Sequence, residues 1–163
     1  MALIELIHGG LRQQMELTSS QQQMEERLHG VINNTQISAP GSLCLLIKPS
    51  LTECSFEDKT LTMEFEAQEW ERNLAGAMHG GIIATLLDTA MGYLNLGFLG
   101  LPPLTVSLAL HYLRASPIEG TVCVFAKIDK MGRQMYFNSS ELYNKGERDK
   151  VLATATSSYM AVY

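Results

Sequence analysis

His79-Gly80-Gly81 is followed by six mostly apolar residues and then by Asp88. These residue types at this spacing suit chemistry on an activated carbonyl. The segment from Gly80 to Leu99 is apolar nearly all round, the pattern of a buried helix. A carboxylate in such a helix is costly unless something compensates it. Two glycines at its start let another backbone or a ligand come close to the first amides. Those first N–H groups have no intrahelical partner, and the helix dipole makes that end positive. One segment thus combines a cradle for an anion or carbonyl with a buried acid about two turns further on.

The spacing adds a constraint. Gly80 and Asp88 are eight positions apart, so on one helix they stand about 12 Å apart along the axis. An Asp side chain cannot cover that gap. Both groups can act on one carbonyl only if they come from different copies of the helix. The chain is therefore expected to form a two-fold dimer, with Gly80 of one subunit facing Asp88 of the other.

Other elements must hold that helix. Residues 1–39 read as helical, with Met24, Leu28, Val31 and Ile32 at helical spacing. Ser20 followed by Gln23 resembles a capping box, Asn33-Asn34 is a stop signal, and Pro40-Gly41 closes the segment. Ser42–Ser55 and Thr60–Ala67 read as strands flanking a turn at Glu57-Asp58-Lys59. Trp70–Ala77 reads as a loop into the apolar helix, and Gly100 with Pro102-Pro103 breaks the chain after it.

Four strands complete the pattern. Leu104–Leu113 alternates, with Val106, Leu108, Leu110 and Tyr112 on one face. Thr121–Lys130 places Val122, Val124, Ala126 and Ile128 on one face. Gln134–Tyr143 and Lys150–Val162 are joined by Asn144-Lys145-Gly146, a hairpin signal. Runs of strands with segregated helices indicate an α+β fold with an antiparallel sheet. A single all-apolar helix is best buried by that sheet curling around it.

Length and composition narrow the classes. The natural reading of 163 residues is one domain with a substantial core. Net charge is −5, so the field of the whole molecule does not favour nucleic acid. Cys44, Cys54 and Cys123 are odd in number and lack metal-ligand spacing; they read as reduced thiols of a cytosolic protein. The short apolar run Ala2–Ile7 has no basic flank and no cleavage site, and is not read as a signal peptide. Gly80–Leu104 is long enough to span a bilayer, but Asp88 lies inside it and no Lys/Arg cluster flanks it. No metal site and no Gly-rich nucleotide loop is visible, so no cofactor is expected.

Asn73 lies six residues before His79, and Thr105-Val106 opens the strand after the helix. With His79-Gly80-Gly81, Asp88, the Met131-Gly132-Arg133 turn and the Thr-rich strand Ala153–Ser158, this resembles the hotdog-fold thioesterases, in their PaaI-like, phenylacetyl-CoA-type branch. The resemblance covers roughly residues 42–162 and leaves the N-terminal extension outside it. His-Gly-Gly alone carries little weight, because His8-Gly9-Gly10 also occurs, with Leu17 where the acid would be.

The resemblance implies a hotdog domain at 40–163 behind an N-terminal helical extension at 1–39. It implies hydrolysis of acyl-CoA thioesters, with CoA as part of the substrate, by a homodimer that pairs further into a homotetramer. The Gly80 amide would hold the carbonyl oxygen, and Asp88 of the partner subunit would act as general base or nucleophile. Asn73 would orient water or the carboxylate, Thr105 would hydrogen-bond near Asp88, and His79 would shape the helix start. Gly81 would adjoin the substrate. Lys130, Gly132 and Arg133, with Lys127 and Arg114 nearby, would meet the phosphates of CoA. Met78 and Met91 are candidates for an adaptable acyl pocket.

Plainer readings stand beside these. Asp88 can be a buried carboxylate satisfied by Thr85 or Thr89, Asn73 a loop cap, His111 a polar-face residue, and the basic turn a solvated hairpin tip. A non-catalytic acyl-CoA-binding module on the same fold is the main alternative. A hotdog dehydratase would use His79 as its base.

Overall fold

The computed structural model describes residues 17–38 and 41–161. The expectations for residues 1–16 lie outside them. Helix α1 (Gln21–Ser38) and a short α2 (Leu43–Ile47) precede β1 (Ser50–Ser55) and β2 (Thr60–Glu66). A 3-10 turn at Glu69–Glu71 leads to α3 (Gly80–Leu99). Then come β3 (Leu104–Tyr112), β4 (Thr121–Met131), β5 (Met135–Asn144) and β6 (Ala153–Met160). The strands form one six-stranded antiparallel sheet in the order β1-β2-β4-β5-β6-β3, wrapped on α3. This is the α+β, helix-in-sheet architecture expected.

The sheet buries the helix through alternating residues. On β4 these are Val122, Val124, Ala126 and Ile128; on β6 they are Ala153, Ala155, Ser157 and Tyr159. Leu86, Leu87, Ala90, Met91 and Leu94 of α3 are fully buried. Helix α1 covers part of the α3 surface that the sheet leaves, with Met24 and Leu28 in the same core. A side chain at Gly97 would stand 3.3 Å from Leu28, so only glycine lets α1 pack this closely without a shift. Thr18 donates from Oγ1 to Gly97 O at 2.5 Å and from N to Phe98 O at 3.0 Å. Two carbonyls at the end of α3 are thus satisfied by the extension. Helix α3 has the length and composition of a membrane span, but 67% of that stretch is buried inside the molecule. The sheet and α1 are its solvent.

Some expectations are corrected. Ser42–Ser55 is not one strand: Leu43–Ile47 is helical, ended by Lys48 in the left-handed region at φ 45°. Asn33-Asn34 does not stop α1, which runs on to Ser38. The box at its start is partial, because Gln23 N–H donates to Ser20 Oγ while Gln23 Oε1 accepts from Ser19 N–H. The last strand begins at Ala153 instead of Lys150. Before it, Glu147 accepts from both Asn144 Nδ2 and Lys150 Nζ and holds a wider connection.

Candidate active site

Helix α3 starts where the sequence places it. His79 is its N-cap at φ −64°, ψ 135°, and His79 Nδ1 accepts the Gly81 N–H at 2.9 Å. That bond uses the Nδ1 lone pair and occupies the Gly81 amide. Ile82 and Ile83 donate to the His79 carbonyl. The Gly80 N–H has no partner among the described residues. It is a free donor at the positive end of a long helix. Tyr112, at the end of β3, donates from its hydroxyl to Gly80 O at 2.9 Å, and its ring lies 3.4 Å from where a Gly80 Cβ would sit.

The loop before the helix is tied down. The backbones of Arg72 and Met78 form a bridge, and His79 N–H donates to Glu71 O at 2.7 Å. Asn73 Oδ1 accepts from the amides of Ala75 and Ala77 at 2.9 and 3.1 Å. Its Nδ2 donates to Met78 O at 3.4 Å and has a second hydrogen to offer. Asn73 therefore holds its own loop while keeping one donor beside the helix start.

Asp88 is half-buried about two turns down the helix. Thr105 Oγ1 donates to its carboxylate at 3.1 and 3.4 Å. The Tyr159 hydroxyl donates to Asp88 Oδ1 at 2.7 Å and to Asp88 O at 2.9 Å. Thr85 turns instead to Gly81 O, so Thr105 and Tyr159 hold the carboxylate where Thr85 or Thr89 was the plainer expectation. Burial, and then the charge of Asp88, push the Tyr159 hydroxyl well above the ordinary tyrosine range. It stays a proton donor to Asp88 at any working pH.

A β-bulge aims Thr105. The pairing of β3 with β6 slips between Thr105 and Ser107, so Thr105 opposes Tyr159 while Leu108 and Leu110 still pack on the core. Unbroken alternation would turn Thr105 away from the face that Leu108 and Leu110 share. Val106, expected on that face, is exposed.

The basic residues divide. Lys127, Lys130 and Arg133 are exposed on β4 and its turn. Gly132 closes that turn, its N–H donating to Met135 O at 2.8 Å, where a Cβ would collide with the same oxygen. This turn lies at the Thr105–Tyr159 end of the sheet. Arg114 follows Tyr112 at the other end, where its Nη1 donates to Val151 O. Within one chain it does not join the patch.

A cavity of about 310 Å³ opens beside Asp88. Thr105 and Tyr159 flank it, and Val31, Cys44, Gly92 and Leu96 also line it. Met78 and Met91 are buried in the core and do not line it. Sequence reasoning missed Tyr159 and Tyr112. Period-two alternation with Ala153, Ala155 and Ser157 places Tyr159 on the core face, but its reach to Asp88 needs the sheet order.

Residues 75–151 match the thioesterase superfamily. The Pseudomonas aeruginosa protein named "Putative esterase PA0474" is 32% identical over 93 residues, covering 55% of this chain and 68% of that one. The chain belongs to the thioesterase superfamily. It is a thioester hydrolase with the hotdog fold. Mouse acyl-coenzyme A thioesterase 13 is 29% identical over 123 residues, 75% of this chain and 86% of its own. The Escherichia coli PaaI protein superimposes with a TM-score of 0.75 at 16% identity, covering 89% of this chain and 97% of that one. The stretch matched to the superfamily contains Gly80, Asp88, Thr105 and Arg133, whereas Asn73 and Tyr159 lie just outside it.

Its two bonds to Asp88 make Tyr159 a candidate positioning residue, one that would act through that carboxylate. Tyr159→Phe removes one charge-assisted hydrogen bond and leaves the ring packed. A loss of about tenfold to a hundredfold in kcat with KM little changed is expected. Steady-state kinetics beside a thermal melt would check it; an unchanged kcat would remove Tyr159 from the site.

Proposed function

We propose that this thioesterase hydrolyses acyl-CoA thioesters in a two-fold dimer whose sites are shared between subunits. One observation carries the reading. The free Gly80 amide and the Asp88 carboxylate sit at opposite ends of β3, held there by Tyr112 and Thr105. Strand β3 is an edge of the sheet, and its Leu104, Val106 and Tyr112 are each more than half exposed at 54%, 55% and 54%. An unpaired apolar edge is a template for another strand. Pairing two copies of β3 antiparallel about a two-fold axis brings the Gly80 end of one subunit to the Asp88 end of the other. The same operation carries Arg114 toward the partner's Arg133 turn, so the divided basic residues meet.

The chemistry follows from that placement. The thioester carbonyl oxygen accepts the Gly80 N–H of one subunit, and the helix dipole favours the charge it develops. Asp88 of the other subunit takes a proton from water as the water oxygen bonds to the carbonyl carbon, or attacks that carbon itself. The C–S bond breaks, the thiolate of CoA leaves and is protonated, and the free acid remains. Asn73 offers its second amide hydrogen to the water. Thr105 and Tyr159 fix the carboxylate. His79 caps the helix and presents Gly80, a structural duty that sets it apart from a dehydratase base. No cofactor is needed. The three thiols are free, in keeping with a cytosolic location. A dimer of dimers is a further level of assembly that this reading admits.

Thiol release from a panel of acyl-CoAs tests the reading. Turnover of CoA esters supports it. Binding of CoA esters without turnover would replace it with an acyl-CoA-binding module. Arg133→Ala tests the nucleotide contact: KM for CoA esters should rise by about tenfold, with little change for small thioesters lacking the nucleotide. Equal effects on both substrates would take Arg133 out of the contact.

A further inference from the structure

We propose that the cavity beside Asp88 is a channel for the tail of the acyl group, with its bore set by Gly92. This rests on the acyl-CoA reading and adds the class of acyl group. The lining residues of α3 are Asp88, Thr89, Gly92, Tyr93 and Leu96. They fall at helical spacing, so the cavity follows one face of the helix. From Asp88 to Leu96 the axis advances about 12 Å. An extended chain gains roughly 1.2 Å per bond, which gives room for a straight acyl group of about eight to ten carbons. The cavity volume of about 310 Å³ is of the size that holds a small ligand.

Polarity runs the same way. Asp88, Thr105 and Tyr159 are bonded together at one end. Val31, Leu96, Pro102 and Pro103 supply apolar wall beyond them. A carbonyl placed beside Asp88 directs its tail along this wall, where no other charged side chain stands among the described residues. An aromatic acyl group would fill only the first turn of this channel. Val31 comes from α1 and Cys44 from α2, both outside the stretch matched to the superfamily. The N-terminal elements therefore form one wall of the channel and define the acyl length.

Gly92 lies midway along that face of the helix, between Asp88 and Leu96. A Cβ built there meets no atom within 4 Å among the described residues, so a larger side chain would project into open channel. Leucine is also the better helix former, so Gly92→Leu should fold. The experiment measures kcat/KM for butyryl-, octanoyl- and phenylacetyl-CoA in wild type, Gly92→Leu and Val31→Phe. Wild type should prefer octanoyl-CoA over butyryl-CoA by at least about tenfold, since each buried methylene contributes about 0.8 kcal/mol. Either substitution should collapse that ratio toward one, from opposite walls. A ratio near one in wild type, or one that neither variant changes, overturns the channel while leaving the thioesterase reading intact. If no CoA ester is hydrolysed, that reading fails by itself, and calorimetry decides the channel separately. Octanoyl-CoA binding more tightly than butyryl-CoA in wild type only supports the channel; equal affinity in all proteins overturns it.

Discussion

Asp88→Asn is expected to abolish turnover of acyl-CoA esters while leaving the fold and subunit assembly as they are. Asn has the shape of Asp and still accepts hydrogen bonds from Thr105 and Tyr159 through its oxygen. It cannot take a proton from water or attack a carbonyl. Loss of a positioned base costs about 10²–10⁴-fold in kcat, and loss of a nucleophile more. KM should move little, because neither the Gly80 amide nor the basic turn is touched. Stopped assays of thiol release, with a thermal melt of each protein, would read the result. Wild-type turnover in a clean preparation of the variant would end the assignment. A single turnover of wild type in ¹⁸O-water then divides the two roles. Label in the first acid released marks direct attack by water; label first in Asp88 marks an anhydride intermediate.

Much of this site is legible in the chain because it is local. The glycines, the cap and the acid all lie on α3, and helical spacing alone fixes their separation. The all-round apolarity of that helix signals burial on every side, but not by what. The sheet covers one side and α1 part of the other, and the contact turns on Gly97 beneath Leu28. Non-local features were not legible. Tyr159 and Asp88 are 71 positions apart and meet only because β6 lies between β5 and β3. The bulge that turns Thr105 inward has no marker such as glycine, so strict alternation misplaced Val106. Leu43–Ile47 is a short apolar run with no period of its own, and such runs suit helix and strand alike. The cavity walls Val31 and Cys44 needed tertiary structure altogether.

Gly80→Pro should cost about 10²–10³-fold in kcat, the usual effect of removing one oxyanion donor. Proline deletes the N–H and nothing else that the helix needs, because the first helical position has no intrahelical bond to lose. His79 already sits at φ −64°, ψ 135°, a conformation that a following proline favours. The Tyr112 ring leaves ordinary van der Waals room for the Cβ of the new ring. Mixing this variant with Asp88→Asn then tests the shared site. A mixed dimer has one site with both groups lost. Its other site takes Gly80 from the Asp88→Asn chain and Asp88 from the Gly80→Pro chain, and is intact. Random reassembly makes half of all dimers mixed, so activity should recover to about a quarter of wild type from two nearly inactive proteins. A site contained within one chain cannot be rescued in this way. Mixed dimers that form and stay inactive would refute the pairing of Gly80 with Asp88 across β3.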